Sequence, residues 1–348
     1  MDRFSLWKSP KPPRKAGLRI LMAAAEVRPY AWVGGLGDVV ASLSSVLAAH
    51  GNEVIVASPL HRSVRKVASL QLASGCSVGP HSFQIFFDEA SDNPHYLFIE
   101  HDGFFDREGV YTDAAGREFG DQFERFHFFN LAVLATMRKL KLHPEIVHCH
   151  DSHSALIPAF LRYGPDASLN GRRARTVLTI HNLAHQGAFP AEKFEKLEIP
   201  ARDFHPASPF EFYGQVNMLK AGLVYADGIT TVSPNYAREI LTPEHGFGLD
   251  GVLRQRQDDL VGILNGIDTE QWNPRTDPHI PSRYGPESLS RRKVNGLELR
   301  KAFGLPDFGG PLIGIVARLV QQKGLDLVLE VQRQIADLGF QLIILGRG

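Results

Sequence analysis

Short runs rich in Val, Ile and Leu alternate along the chain with longer stretches whose apolar residues return every three or four positions. The short runs have the length and β-branched content of buried strands, and the longer ones have the period of amphipathic helices. This predicts strands over residues 18–25, 53–57, 95–100, 146–149, 176–180, 228–232 and 261–264. Helices are predicted over 38–49, 122–140, 153–163, 214–225 and 235–241. Strands and helices in alternation make parallel βαβ units, so the expected fold class is α/β, a doubly wound parallel sheet that binds ligands at the carboxyl ends of its strands. After Trp272 the stretch NPRTDPHIPSRYGPE is dense in Pro and charge and is expected to open a linker over 273–308. A strand over 312–316, the loop RLVQQKG, a helix over 325–336 and a strand over 341–345 then begin a second unit. One such unit buries too little apolar surface to close a core. The expected organisation is a disordered tail over 1–15, a first domain over 16–272, the linker, and over 309–348 the start of a second domain cut short.

With 348 residues the chain is long enough for two cores, and 38 Lys plus Arg balance 38 Asp plus Glu. No overall field attracts nucleic acid or an anionic membrane, so any phosphate chemistry must be local. The two cysteines, Cys76 and Cys149, lack C-x-x-C spacing, which argues against a disulfide framework or a cysteine zinc site and fits a reducing cytoplasm. No apolar run approaches the roughly 18 residues of a membrane span. The start, MDRFSLWKSPKPPRK, is basic but has no apolar segment of the signal-peptide kind. Oligomeric state is not legible in the sequence.

Candidate chemistry sits at the predicted strand ends. Residues 26–41, EVRPYAWVGGLGDVVA, turn the end of a strand into a helix through Gly34, Gly35 and Gly37. Backbone without Cβ atoms at a helix N-terminus suits an anion, and a plain tight turn with Asp38 facing the helix dipole is the alternative. The dinucleotide fingerprint G-x-G-x-x-G fails, because Val40 follows where the third glycine belongs, and the next strand ends at Ser58 and Pro59 without an acid for a ribose. HCHDSHSA at 148–155 offers His148, His150 and His153 with Asp151 as zinc ligands, or as polar groups capping a helix. His181 and Asn182 in TIHNLAHQG, and Asn265 in ILNGID, read as sugar contacts or as turn residues. Arg318 and Lys323 in ARLVQQKG suit a leaving diphosphate, since Arg forks onto two oxygens and Lys supplies a point charge; solvated surface charge is the alternative.

These stretches, joined by FDREGVYTD around Tyr111, DQFERFHFF from Asp121 and EFYGQVNMLKAGLVYADGITTVSPNYAREI over 211–240, run in order across nearly the whole chain. Together they resemble bacterial glycogen synthase and plant starch synthase, retaining glucosyltransferases of the GT-B fold with two Rossmann-like domains. The resemblance implies transfer of glucose from ADP-glucose, less often UDP-glucose, to the 4-hydroxyl at the non-reducing end of an α-1,4-glucan such as glycogen. It implies no cofactor and no metal, with a donor lying between the two domains. Arg318 and Lys323 would stabilise the departing diphosphate, Gly34 and Gly35 would offer N–H groups to it, and Asn265 would lie near the donor. His181 would set its backbone carbonyl by the anomeric carbon, Asp151 and Asn182 would position the sugar, and Tyr111 would contact glucose or glucan.

The chain departs from the family pattern at two places. The family's K-x-G-G-L lysine is Trp32 here, which removes a cation beside the diphosphate and puts an aromatic face for sugar or adenine in its stead. The family's later E-x-x-x-x-x-x-x-E segment does not occur in these residues. Little glucosyl transfer is therefore expected of this polypeptide. Two alternatives stand beside a glycogen synthase: a non-catalytic remnant that binds glucan or a partner chain, and a metallohydrolase built on residues 148–153.

Overall fold

A computed structural model describes residues 17–163, 174–307 and 309–346; the tail expected over 1–15 lies outside them. The chain divides into two compact units, one ending at Gly266 and the other beginning at Ile267. The strands of the first unit are β1 (Arg19–Ala23), β2 (Glu53–Pro59), β3 (Leu70–Val78), β4 (His81–Asp88), β5 (His95–Glu100), β6 (Ile146–His150), β7 (Arg175–Ile180), β8 (Ala188–Pro190), β9 (Glu211–Phe212), β10 (Gln215–Asn217), β11 (Gly228–Thr231) and β12 (Leu260–Gly262). Nine of them form one sheet in the order β12-β11-β7-β6-β1-β2-β5-β4-β3. All its pairings are parallel except β4 with β5 and β3 with β4.

The apolar runs are buried on both faces, as the central strands of a parallel sheet must be. Along β1, Leu21 and Ala23 face one core with Ile55, Val147 and Leu178, while Ile20 and Met22 face the other with Val54, Val56 and Phe98. The helix Gln122–Lys139 closes the first core with Phe123, Phe126, Phe128 and Phe129. The helix Gly35–Ala49 closes the second with Leu36 and Val40. From β1 the chain works outward through β2 to the antiparallel edge, then returns to lay β6 against the other side of β1. The loops leaving β1 and β6 therefore diverge, which opens a crevice at the carboxyl edge where doubly wound sheets bind ligands.

Several local expectations are corrected. The hairpin β3–β4 was not anticipated; it turns at Gly79, whose φ of +51° is the left-handed region open to glycine. The helix expected from 214 begins only at Met218, because Gln215–Asn217 pairs as β10 and the Asn217 side chain caps the helix by accepting from Lys220 N at 2.8 Å. The helix expected from 153 opens with the 3₁₀ turn Ser152–Ser154 before Leu156–Tyr163. The strand expected over 261–264 is Leu260–Gly262. Inside the stretch expected as a linker, Arg292–Ala302 is helical, and Arg300 donates to Gln341 Oε1 at 2.6 Å and to the Gly310 carbonyl.

The second unit pairs β13 (Leu312–Val316) in parallel with β14 (Gln341–Leu345). The helix expected between them is two, Leu325–Glu330 and Gln332–Asp337, parted at Val331. No helix among the described residues is long and apolar enough to cross a membrane.

Candidate active site

The segment after β1 is organised by Glu26, a carboxylate only 3% exposed. Its Oε2 accepts from the N–H groups of Val33 at 2.5 Å and Gly34 at 3.2 Å, and its Oε1 accepts from the Tyr111 hydroxyl at 2.7 Å. The glycine turn is thus fastened from below by an internal anion. Gly34 has an extended backbone, φ −146°, and a Cβ built at Gly34 or Gly35 meets nothing within 4 Å. Neither strain nor packing calls for glycine at these two positions, so their Cβ sides face open space available to a ligand, but the Gly34 N–H expected to serve the diphosphate is spent on Glu26. Gly37 differs: a Cβ there would lie 2.7 Å from Trp32 Cβ, so that glycine serves the packing of Trp32. Trp32 is 45% exposed and lies under the Arg28 guanidinium, 4.8 Å from the ring centroid, while Arg28 Nη1 donates to Asp38 Oδ1 at 2.6 Å.

Tyr111 reaches this cluster on a loop clamped by the helix Gln122–Lys139. Arg125, fully buried, donates from Nε to the Phe104 carbonyl at 2.9 Å, from Nη2 to the Val110 carbonyl at 2.8 Å and from Nη1 to Gln122 Oε1 at 2.8 Å. Gln122 Nε2 in turn donates to the Tyr111 carbonyl at 2.8 Å. Burial lowers Arg125 to about 10, which leaves it charged at neutral pH. Burial first, then the carboxylate of Glu26, raises the Tyr111 phenol well above its ordinary value, so it stays a hydrogen-bond donor.

Asp151 follows β6 with φ +55° and ψ −174°, a conformation that glycine adopts and other residues enter at a cost of about 1–3 kcal/mol. It is held there: Asp151 N donates to the Thr179 carbonyl at 3.0 Å, and Asp151 Oδ1 accepts from His181 N at 2.7 Å. The carboxylate thereby links the ends of β6 and β7. Burial raises its pKa to about 7, against the pull of the His181 and Asn182 backbone N–H groups, and Glu26 nearby adds to the rise.

The histidines divide. His150 Nδ1 and His181 Nε2 share a proton at 3.0 Å, and His148 Nε2 meets Thr179 Oγ1 at 2.6 Å. His153 turns away to stack on Tyr111, ring centroids 4.7 Å apart. Burial lowers His148 and His181 to about 4 and His150 well below its ordinary value, so these rings are neutral at pH 7. Among the described residues no group of three or more His, Cys, Asp or Glu could hold a metal ion. The histidines of residues 148–153 are engaged in different contacts, and the metallohydrolase alternative has no site there.

Gly34, Gly35, Tyr111, Asp151, His181 and Asn182 therefore gather at the ends of β1, β6 and β7. Asn182 closes a local turn, its Oδ1 accepting from Ala184 N at 3.1 Å. Asn265, exposed three residues past β12, makes no side-chain hydrogen bond among the described residues, and β12 stands two strands from β7. Arg318 and Lys323 belong to the second unit, exposed on either side of the turn between β13 and the next helix, with neither side chain paired among the described residues. The sequence reading passed over Glu26 and Arg125. Glu26 could have been found as the acid eight residues before a glycine turn, whereas nothing along the chain marks Arg125 as buried.

A doubly wound sheet that carries open glycines, a buried acid and neutral imidazoles at its topological switch point is the construction of a Rossmann-like ligand-binding domain. The family described as the starch synthase catalytic domain matches residues 19–255. A glycogen synthase from Opitutus terrae is 40% identical over 341 residues, covering 95% of this chain and 70% of the relative. One from Anaeromyxobacter sp. (strain Fw109-5) is 43% identical over 339 residues with the same coverage. The catalytic domain of starch synthase IV from Arabidopsis thaliana, solved bound to ADP and acarbose, superposes with a TM-score of 0.83 at 32% identity, covering 95% of this chain and 69% of that one. The chain belongs to the glycogen and starch synthase family of glycosyltransferases.

Proposed function

We propose that this chain transfers glucose from ADP-glucose to the 4-hydroxyl at the non-reducing end of an α-1,4-glucan, with retention at the anomeric carbon, and that it does so slowly, as expected where Trp32 replaces the family's lysine. The observation that carries the reading is two hydrogen-bonded pairs, Glu26 with Tyr111 and Asp151 with His181, close enough at the switch point for Glu26 to act on the Asp151 charge, in a chain of this family. In this reading the diphosphate lies over the open backbone of Gly34 and Gly35, and the glucose sits toward Asp151 and Asn182. The starch synthase IV structure, which holds ADP and acarbose, supports a nucleotide diphosphate and a glucan-like chain as the ligands.

In the reaction, the bond from C1 of glucose to the β-phosphate oxygen breaks and the acceptor 4-oxygen bonds to C1 on the same face. The 4-hydroxyl proton passes to the departing phosphate, so ADP leaves protonated and no protein nucleophile is required. A neutral imidazole at His181 suits this scheme: the backbone carbonyl, not a charged ring, faces the positive charge growing at C1. Asp151 holds the peptide before that carbonyl through the His181 N–H, and the carbonyl's own peptide through the Asn182 N–H. Arg318 and Lys323 are the cations of the second unit suited by their chemistry to a diphosphate. Asn265 contributes to the donor side.

The test is incorporation of labelled glucose into glycogen from ADP-glucose and from UDP-glucose, with the new linkage read by NMR. The proposal expects α-1,4 linkages formed several-fold faster from ADP-glucose. No incorporation from either donor, or a β-linked product, would overturn it.

A further inference from the structure

Arg28 is the cation nearest the glycine turn on its own segment, and it is unusually well aimed for a side chain at the surface. The chain reverses at the bridge between Val27 and Ala31, which brings Trp32 beneath the guanidinium at 4.8 Å. Asp38, in the first turn of the helix that follows the glycines, holds Nη1 at 2.6 Å. Two contacts from different directions fix the plane of the group. Of its five N–H donors only those on Nη1 meet a protein acceptor among the described residues. The Arg28 backbone N–H also donates to the Gly37 carbonyl at 3.2 Å, so the base of the side chain is tied to the turn itself. Gly37 lacks a side chain where one would strike Trp32 Cβ, so the turn is built around the ring that carries Arg28.

We infer that Arg28, stacked on Trp32 and steadied by Asp38, is the cation that the glycine turn presents to the phosphates of the donor. The inference rests on the proposed donor reading, in which the diphosphate lies over Gly34 and Gly35. A guanidinium held over an aromatic face by its carbon keeps N–H donors free to fork onto phosphate oxygens. Asp38 spends one nitrogen of the fork and leaves Nε and Nη2. Trp32 then acts as a platform that positions Arg28, and sugar or adenine stacking on its covered face is not needed. The class of ligand is a nucleoside diphosphate or its glycosyl ester; a nucleoside without phosphate gains nothing from Arg28.

The experiment compares binding of ADP and adenosine by calorimetry to the 348-residue chain, to R28M, R28K and W32A, and to the double variant R28M/W32K, at two salt concentrations. The wild type is expected to bind ADP at least tenfold more tightly than adenosine. R28M should lose about tenfold or more in ADP affinity, keep its adenosine affinity, and show a flatter salt dependence. R28K should fall between the two, and W32A should lose severalfold because the guanidinium is no longer aimed. A lysine introduced at position 32 should return most of the lost affinity in R28M/W32K. ADP affinity in R28M equal to wild type, with wild type still preferring ADP to adenosine, would overturn the role of Arg28 and leave the donor reading intact. A wild type that does not distinguish ADP from adenosine would overturn the donor reading, and the inference with it. Thermal unfolding of each variant shows whether a loss comes from the fold.

Discussion

Replacing Asp151 by Asn removes one ionisation while leaving a side-chain oxygen that can still accept from His181 N. Burial holds the Asp151 carboxyl at about 7 in the folded chain, against an ordinary value near 4 when unfolded. The folded state therefore binds this proton more tightly than the unfolded state does. Its contribution to stability is complete below about pH 4 and is lost as pH rises to about 7. Between pH 5 and pH 8 the loss spans roughly two pH units, about 3 kcal/mol at ~1.4 kcal/mol per unit. Asn cannot ionise and escapes it. The buried imidazoles of His148, His150 and His181 push stability the other way, since their lowered pKa values make it fall as pH drops below about 6.5, but they are common to both proteins and cancel in the difference. Urea unfolding of wild type and D151N at pH 5 and pH 8, extrapolated to water, gives the four free energies. D151N should gain about 3 kcal/mol on wild type between the two pH values. A difference between the proteins that stays constant within about 0.5 kcal/mol would refute the buried, reluctantly ionised acid.

Three further outcomes are expected. G34A, whose Cβ enters open space, should unfold within about 0.5 kcal/mol of wild type yet bind ADP about tenfold more weakly, while G37A, forced against Trp32, should lose at least ~1 kcal/mol of stability; equal stability of the two would show that the loop packs differently. R125M removes the donors that hold the Phe104 and Val110 carbonyls and should cost at least ~3 kcal/mol in urea unfolding, with faster exchange of the amides around Tyr111; a variant as stable as wild type would mean that the clamp is not formed. R318A and K323A should each lower turnover at least tenfold with glucan affinity unchanged, because they act on charge that appears only as the glycosidic bond breaks, and an unchanged turnover with weaker glucan binding would make them ordinary binding residues.

The strands at the centre of the sheet were legible because β1 and β2 are apolar on both faces, and an unbroken apolar run has few other uses, while β6 and β7 keep Val, Ile and Leu between their polar residues. The hairpin β3–β4 was not, since edge strands with one wet face carry only a broken alternation, as in Ser77, His81, Phe83 and Ile85. β8, β9 and β10 are two or three residues long and too short to show any period. The site was legible where a motif sits at a strand end, at Gly34, Asp151 and His181. It was not legible where one group acts through another. Glu26 works by accepting backbone N–H groups, Arg125 works from inside a helix through the carbonyls of Phe104 and Val110, and Arg28 meets Trp32 only because the chain doubles back. Contacts of that kind depend on the path of the backbone and leave no spacing to read.

The most direct test of the account is a crystal structure of the chain with a donor that cannot react, ADP-2-deoxy-2-fluoroglucose. The account predicts the β-phosphate over Gly34 and Gly35, the glucose within hydrogen-bond reach of Asp151 or Asn182, and C1 within about 4 Å of the His181 carbonyl. A donor seated elsewhere, for example in the concavity of about 530 Å³ lined by Cys76, Glu100 and His101 at the antiparallel edge, would contradict it.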